Sequence, residues 1–166
     1  MKIAIMQPYF MPYIGYWQLL AAVDSFVVYD NIQYTKKGWM NRNRFLQNGK
    51  DVLFTIPLKK DSEYLDVVQR YVAEDFNPTK LLNQLEGSYR KAPFFKTVFP
   101  ILTTIIKAEQ RILFQYIHHS ITVTADYLGI KTPVVVSSNL AIDHALKGEQ
   151  KVLALCRVMS ADTYIN

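Results

Sequence analysis

Residues 2–44 read KIAIMQPYFMPYIGYWQLLAAVDSFVVYDNIQYTKKGWMNRNR, and this stretch decides the fold of the chain. The apolar run Lys2–Met6 suits a buried strand. From Pro12, which fits the first position of a helix, apolar residues recur at helical spacing. Phe26–Tyr29 is a second run of β-branched and aromatic residues. Strand, helix and strand within about thirty residues predict a βαβ unit with a right-handed crossover.

Polar residues follow both predicted strands of this unit. Gln7 comes after the first strand and Asp30 after the second. In an open parallel sheet, ligands bind outside the carboxyl ends of the strands. The first helix points its N-terminus at the same edge, where free N–H groups favour an anion, and Lys37 in the next loop adds a positive charge. We therefore take Gln7, Asp30 and Lys37 as candidate catalytic residues.

The loop after Asp30 is rich in aromatic, amide and basic side chains. Arg42 can clamp a phosphate with two hydrogen bonds, while Trp39 and Tyr34 can stack on a base or a sugar. We expect Asp30 and Trp39 to share one site, because the loop must return to the same edge of the sheet. The alternative is a solvated turn in which Trp39 packs on the core and Arg42 pairs with Asp30. The candidate substrate-binding residues of the loop are Gln33, Tyr34, Trp39, Asn41 and Arg42.

Turn chemistry predicts a hairpin over residues 42–58. Asn48-Gly49 lies at its centre, and both residues tolerate the positive φ that a tight hairpin turn requires. We expect this hairpin to extend the sheet from its edge. Gly15 lies inside the first helix, where glycine costs about 1 kcal/mol relative to alanine. We therefore expect close packing at Gly15, against the Pro8 turn or a neighbouring element.

The remaining chain alternates between helical and strand patterns. Residues 64–72 fit a strand and, almost as well, a helix. Asn77-Pro78 predicts a helix start, since asparagine caps helices and proline suits the first helical position. Pro100 should kink its helix or mark the helix's true start. The other predicted elements are helices over residues 78–90, 94–110, 112–128 and 143–159 and strands over residues 133–136 and 163–165.

These elements predict an α/β fold with a mostly parallel twisted sheet flanked by helices. The arrangement is Rossmann-like and three-layered, with a hairpin at residues 42–58 and a helical insert. Ser137 and Ser138 follow the later strand, while Tyr164 and Asn166 belong to the last strand. If the sheet is parallel, they lie on the same rim as the polar groups of the first unit. Ser137 and Ser138 complete the candidate substrate-binding set.

Composition limits the class of protein. The chain has 166 residues, enough for one domain over residues 1–166, and a net charge of +5 that favours anionic partners such as phosphates, nucleic acid or anionic lipid. The single cysteine, Cys156, cannot form an internal disulfide, which favours a reducing compartment. The sequence shows no cleavable signal pattern and no apolar run of transmembrane length. We therefore expect a cytoplasmic protein without a membrane span.

Several catalytic chemistries find no support in the sequence. His118 and His119 are adjacent in a predicted helix, so they face about 100° apart and cannot share a metal ion. The sequence contains no Cys/His cluster, P-loop, dinucleotide fingerprint or serine nucleophile elbow. It therefore predicts no metal site and identifies no cofactor. The strand–helix layout is similar to that of α/β nucleotidyltransferases, although their H-x-G-H turn is replaced by Q-P-Y-F-M-P-Y-I-G.

The N-terminal stretch resembles the opening of the WbqC-like protein family, whose members are often encoded among bacterial O-antigen and surface-polysaccharide genes. The family pattern combines H-Q-P, P-x-x-G, an aspartate ahead of the second strand and D-x-x-Q-Y-x-K-x-x-W-x-N-R-N. The N-terminal matches are Gln7, Pro8, Pro12, Gly15, Asp24, Asp30, Gln33, Tyr34, Lys37, Trp39, Asn41, Arg42 and Asn43. The later matches are Tyr89, Lys91, Ala92, Pro93, Phe95, Ser137, Ser138 and residues 161–166.

Two departures from the family pattern matter. Met6 stands where many relatives carry histidine, so a role for that imidazole cannot be transferred to this chain. Relatives usually continue for several dozen residues past the position of Asn166. The resemblance therefore implies that the family's C-terminal segment is missing from the domain formed by residues 1–166.

Together with the basic and aromatic loop, the resemblance implies a transferase of nucleotidyl or acyl/aminoacyl type. It would act on a nucleotide-linked sugar or phosphorylated metabolite in surface-polysaccharide (O-antigen) biosynthesis. One alternative is a nucleic-acid-binding protein, although the basic residues do not cluster beyond the loop. Another is a non-catalytic assembly protein that buries the aromatic loop in a partner interface.

Overall fold

The computed structural model describes all of residues 1–166 and contains a four-stranded parallel sheet, a separate hairpin and five α-helices. The strands are β1 (Lys2–Met6), β2 (Ser25–Val28), β3 (Arg42–Gln47), β4 (Lys50–Thr55), β5 (Val134–Val136) and β6 (Thr163–Ile165). The helices are α1 (Ile14–Ala22), α2 (Pro78–Tyr89), α3 (Phe95–Ile106), α4 (Leu113–Tyr127) and α5 (Gly148–Val158). The predicted α/β fold class is confirmed.

The main sheet has the strand order β5-β2-β1-β6, with every neighbouring pair parallel. Its two central strands pair between Ile3–Met6 and Ser25–Val28, as expected for the βαβ unit. On the other side of β1, β6 places Thr163 opposite Lys2. Strands buried on both faces need continuous apolar runs, and both central strands have them.

Alternating side chains of the sheet enter two separate cores. Phe26 and Val28 of β2 pack in the larger core, together with α1 and the helical insert formed by α2, α3 and α4. Val27 points to the opposite face, where it packs in a smaller cluster with Leu155 of α5. Because successive residues of a strand face opposite sides, one short strand holds both layers of helices in place. The three-layer prediction is therefore confirmed.

Helix α1 begins at Ile14 rather than at the predicted Pro12. Tyr13 is still extended, with φ of −65° and ψ of 165°, so the chain enters the helix two residues later. The carbonyl of Pro12 accepts a hydrogen bond from Nε1 of Trp17 at 3.1 Å, which holds the entry to the helix in place. The last turn before α1 therefore belongs to the loop that follows β1.

The hairpin forms where it was predicted, but it does not extend the main sheet. Asn48 and Gly49 both have positive φ, 52° and 76°, as the tight turn requires. Strands β3 and β4 form their own two-stranded sheet, because the hairpin packs over the loop after β1. Asn43 donates to the carbonyl of Phe10, and Phe54 packs edge-on against the ring of Phe10. The expectation that the hairpin adds strands to the sheet edge was wrong.

Residues 64–72 form neither the predicted strand nor the alternative α-helix. The segment contains a single 3₁₀ turn, Val67–Gln69, between isolated bridges to three different parts of the chain. Those bridges pair Asp66 with Gln33, Val72 with Leu58 and Tyr71 with Ile112. Because no partner segment runs beside it for long, the segment cannot build a ladder.

The helical insert and α5 follow the predicted pattern with shifted boundaries. Asn77 caps α2 by accepting from the N–H of Lys80 at 3.0 Å. Helix α3 ends at Ile106 instead of residue 110, and Pro100 lies inside it. Helix α5 starts at Gly148 instead of Asp143, whose carboxylate accepts from the N–H of Ala145 at 2.9 Å in a local turn. None of the five helices combines the length and the apolar character needed to cross a bilayer.

The space around Gly15 is crowded, as expected, but by a different neighbour. A Cβ atom at this position would lie 2.4 Å from Cε2 of Tyr13. The ring of Tyr13 therefore lies over the first turn of α1, in the space that a side chain would occupy. By contrast, a Cβ atom at Gly87 of α2 would meet no heavy atom within 4 Å.

We expect the two glycines to respond oppositely to alanine. Gly87→Ala should raise the free energy of unfolding by about 0.5–1 kcal/mol, since alanine favours a helix interior and nothing opposes its methyl group. Gly15→Ala should give none of this gain, because the Tyr13 ring must move. Urea unfolding followed by circular dichroism measures both. An equal gain at both positions would contradict the crowding at Gly15.

Candidate functional site

The carboxyl edge of β2 and β5 is held by a buried hydrogen-bond network around Asp30. Asp30 is only 2% exposed, and its Oδ1 accepts from the hydroxyl of Ser137 at 2.7 Å and the N–H of Ser138 at 2.9 Å. The N–H of Asp30 lies 3.3 Å from Oγ of Ser137. These three predicted residues are therefore brought together from positions more than a hundred residues apart.

Asp30 does not pair with an arginine. The ion pairs of the structure join Met1 to Asp162, Lys36 to Glu63 and Arg44 to Asp51. A buried carboxylate is tolerated when hydrogen bonds replace its hydration, and Ser137 and Ser138 provide them here. Asp30, which follows β2, therefore holds the turn that follows β5 in position.

Lys151 and His144, which were not among the predicted site residues, extend this network through Asn31. Lys151 of α5 is 5% exposed, and its Nζ lies 3.2 Å from Oδ1 of Asn31 and 5.0 Å from the centre of the Tyr29 ring. Nδ2 of Asn31 lies 2.9 Å from Nδ1 of His144. Nε2 of His144 faces the carbonyl of Leu140 at 3.1 Å. Since a carbonyl only accepts, we assign the proton of His144 to Nε2 and make Nδ1 the acceptor for Asn31.

Lys151 had a signal in the sequence. It lies four residues before Leu155, on the face that α5 buries against the sheet. Its place on the apolar face of the helix could therefore have predicted that Lys151 is buried.

Gln7 follows β1 and makes local contacts only. Its Oε1 accepts from the hydroxyl of Tyr9 at 3.0 Å, and its carbonyl accepts from the hydroxyl of Tyr16 at 3.2 Å. Tyr164 of β6 is 39% exposed. It pairs with Ile3, near the start of β1, so it does not lie on the rim where it was expected. Gln7 and Asp30 do follow the carboxyl ends of their strands, but they form separate local groups.

A cleft beside the loop is lined by several basic residues, and we call it the basic cleft. Its volume is about 590 Å³. The predicted residues Gln33, Tyr34 and Asn41 line it. The other lining residues are Thr35, Lys36, Leu58, Lys59, Lys60, Asp61, Glu63, Tyr64 and Arg70. Four basic side chains face two acidic ones, so the cleft carries excess positive charge.

Arg70 is the residue of the basic cleft that the sequence analysis missed. It is 7% exposed, and two of its nitrogens donate to the carbonyls of Ser62 at 2.8 Å and Lys59 at 3.3 Å. Its guanidinium carbon lies 5.0 Å from the centre of the Tyr34 ring. Its Nε is buried and has no hydrogen-bond partner. The signal in the sequence was a lone cation within the apolar run VVQRYV, residues 67–72.

Tyr34 and Asn41 form a fixed polar wall of the same cleft. The hydroxyl of Tyr34 donates to Oδ1 of Asn41 at 2.9 Å, and Nδ2 of Asn41 donates to the carbonyl of Ile56 at 2.8 Å. Burial raises the pKa of Tyr34, although the positive charges of Arg70 and Arg42 oppose that shift. Tyr34 therefore remains a neutral phenol at physiological pH.

Trp39 lies in a different cleft, which we call the aromatic cleft. Its volume is about 420 Å³, and it lies at the end of β1 and the start of α1. The lining residues are Met6, Tyr9, Pro12, Tyr13, Trp39 and Asn43. Asp30 lines neither this cleft nor the basic cleft. Neither cleft thus brings together Asp30 and Trp39, which were expected to share one site.

Arg42 was predicted to bind substrate and Lys37 to be catalytic, but neither residue lines the basic or the aromatic cleft. Nε of Arg42 donates to the carbonyl of Gly38 at 2.9 Å, and a second nitrogen donates to the carbonyl of Lys37. Arg42 also lies 5.7 Å from the centre of the Trp39 ring, so it fixes the loop that carries the tryptophan. The side chain of Lys37 is exposed and lines neither cleft. No group of three or more His, Cys, Asp or Glu side chains is placed to hold a metal ion.

The geometry around Asp30 predicts different effects of two substitutions. Asp30→Ala should lower the free energy of unfolding by about 1–3 kcal/mol, since the buried Ser137 and Ser138 donors lose their acceptor. Asp30→Asn keeps an oxygen at the same position and should cost less than half as much. Urea unfolding measures both, and the exposed Asp75→Ala serves as the control, expected within about 0.5 kcal/mol of the unmodified protein. Equal losses for both Asp30 variants would show that the negative charge, rather than the acceptor, stabilises this edge.

Comparisons with known proteins agree with the resemblance noted in the sequence. The WbqC-like protein family matches residues 7–166. A Mycobacterium tuberculosis protein named "Uncharacterized protein Rv1507c" is 29% identical over 168 residues, which cover 99% of this chain and 71% of that protein. No solved structure matches the chain. Because the family match spans nearly the entire sequence, this chain belongs to the WbqC-like protein family.

Proposed function

We propose that this protein is a transferase that acts on a nucleotide-linked sugar or a related phosphorylated metabolite. The basic cleft would hold the phosphates. The family resemblance connects such a reaction with surface-polysaccharide biosynthesis, and the single Cys156 favours a reducing, cytoplasmic compartment.

The observation that carries the proposal is the buried and uncompensated charge of Arg70. The side chain lies in the wall of an open cleft, yet no carboxylate forms an ion pair with it. Buried charges are normally paired, because removing them from water is costly. Two backbone carbonyls satisfy part of the guanidinium, while Nε has no partner. An anion in the cleft would supply the missing negative charge.

The neighbours of Arg70 favour a phosphate over other anions. Lys59 and Lys60 line the same cleft, and their flexible side chains can reach several oxygens of one ligand. Lys36 also lines it and forms an exposed ion pair with Glu63, which contributes little and can be exchanged for a ligand. A set of one rigid guanidinium and several mobile ammonium groups suits a diphosphate with charge spread over many oxygens.

The remaining candidate residues would act in support of this cleft. Asn41 and Tyr34 hold its polar wall, and Arg42 fixes the loop between the two clefts. Asp30, Ser137 and Ser138 would position the edge of the sheet rather than exchange protons, since their polar atoms already bond to one another. Gln7 and Lys37 line neither cleft and have no part in this proposal.

We expect inorganic pyrophosphate and UDP-glucose to raise the melting temperature, and glucose alone to have no effect. A ligand that binds only the folded state stabilises it by mass action. Arg70→Lys keeps the buried charge but loses the planar fork, so it should weaken pyrophosphate binding by about tenfold. Lys60→Gln should weaken it by about two- to fivefold. Isothermal titration measures these affinities.

The matched control is Lys80→Gln, which removes an exposed lysine of α2 outside the basic cleft. This variant should bind pyrophosphate as the unmodified protein does. Unchanged affinity in both cleft variants would refute the phosphate site. If single-stranded RNA bound more tightly than UDP-glucose and all three lysine and arginine changes weakened it alike, the nucleic-acid-binding alternative would replace the proposal.

A further inference from the structure

The loop between β1 and α1 is fixed in place although it has no regular secondary structure. Four of its carbonyl groups accept hydrogen bonds from side chains of other segments. These bonds join Tyr16 to the carbonyl of Gln7, Asn43 to the carbonyls of Phe10 and Met11, and Trp17 to the carbonyl of Pro12. The N–H of Phe10 also bonds to the carbonyl of Trp39 at 3.4 Å. The loop is therefore held rigidly against both α1 and the hairpin.

The same loop contains an unfavourable backbone conformation. Met11 has φ of 50°, a region that residues other than glycine rarely adopt. Such conformations persist where surrounding contacts enforce them, and they cluster at ligand sites. Here the amide of Asn43 holds the carbonyl of Met11 directly.

The rigid loop presents aromatic rings that the protein does not cover. Tyr13 is 69% exposed and Trp39 is 43% exposed, and both line the aromatic cleft with the half-buried Tyr9. Gly15 leaves the space in which the Tyr13 ring lies. Rings that are fixed from behind and open to the cleft are suited to stack on a flat ligand at low entropic cost.

Two of the four polar side chains of the cleft are in use by the protein, which leaves the hydroxyl of Tyr13 and the indole N–H of Trp39 free. The amide nitrogen of Asn43 bonds to the loop, and its Oδ1 accepts from the N–H of Arg44 at 2.8 Å. The hydroxyl of Tyr9 donates to Gln7. A sugar ring needs partners for several hydroxyl groups, whereas the face of a base needs only a stacking surface. The cleft therefore suits a planar aromatic ring better than a sugar.

The two clefts lie next to one another. Asn41 lines the basic cleft and Asn43 lines the aromatic cleft, and residues two apart in an extended segment are separated by about 7 Å. We propose that the aromatic cleft binds the nucleobase of a nucleotide-linked donor, through stacking on Trp39 and Tyr13. This assignment rests on the proposed function, since it gives the base of the donor to one cleft and its phosphates to the other.

Fluorescence of Trp39 tests the assignment. The chain has two tryptophans, and Trp17 is buried at 7% exposure, so acrylamide added to the unmodified protein reaches Trp39 at the cleft. Uridine, cytidine, adenosine and guanosine, which carry no phosphate, should quench its emission and protect it from acrylamide. Methyl glucoside should do neither. Protection by methyl glucoside but by none of the nucleosides would overturn the nucleobase assignment in favour of a sugar site.

Single substitutions test whether nucleoside binding depends on the rings of Trp39 and Tyr13. Trp39→Leu should lower the affinity for the best nucleoside by about tenfold in isothermal titration, within the range measured for loss of one stacking ring. Gly15→Ala, which displaces the Tyr13 ring without removing it, should also weaken nucleoside binding. Gly87→Ala is its matched control and should leave nucleoside affinity unchanged. Equal affinity in the Trp39→Leu variant and the unmodified protein would overturn the assignment.

The affinity for pyrophosphate distinguishes a wrong nucleobase assignment from a wrong proposed function. Trp39→Leu and Gly15→Ala should bind pyrophosphate with unchanged affinity, because neither residue lines the basic cleft. If pyrophosphate binds and no nucleoside does, the nucleobase assignment falls and the phosphate site stands. If the nucleosides bind and pyrophosphate does not, the transferase proposal falls, and with it the division of one donor between the two clefts.

Discussion

The buried carboxylate of Asp30 is the interaction on which the carboxyl edge of the sheet depends. It joins β2 to the turn after β5, and Asn31 beside it continues the network to Lys151 of α5 and to His144. Asp30, Ser137 and Lys151 are buried, so each needs its partner for the edge to keep its shape. The loop that separates the two clefts begins at this edge. Its geometry is therefore set by contacts between segments far apart in the sequence.

Lys151 and Arg70 show that a buried cation is not necessarily part of a binding site. Lys151 points its ammonium group at the amide oxygen of Asn31 and the ring of Tyr29, and it lines neither the basic nor the aromatic cleft. Arg70 is buried to a similar degree, but it faces an open cleft with Nε unpartnered. The ammonium group of Lys151 has partners within the protein, whereas Nε of Arg70 has none. Lys151 lies on a helix that packs against the sheet, whereas Arg70 follows a 3₁₀ turn in the wall of the basic cleft.

Sequence reasoning succeeded where the determinants are local. Asn48-Gly49 and Asn77-Pro78 encode their turn and cap within a few residues, so the hairpin and the start of α2 could be predicted. It failed where distant partners decide the outcome. The hairpin lies over the loop after β1 because Asn43 bonds there, and Arg42 bonds to carbonyls that no spacing rule identifies. Arg70 was missed because its burial depends on Tyr34 and on backbone from a separate loop.

The pairing of β1 with β6 has a consequence for how the protein is made. Lys2 lies opposite Thr163, so β1 must keep one edge open until residues 163–165 have been synthesised. Contacts this far apart close slowly, because the entropy of the long intervening loop is lost before the pairing forms. An unpaired central strand is also a template for mispairing with other chains. A nascent chain of this protein therefore exposes the open edge of β1 for as long as residues 163–165 have not emerged.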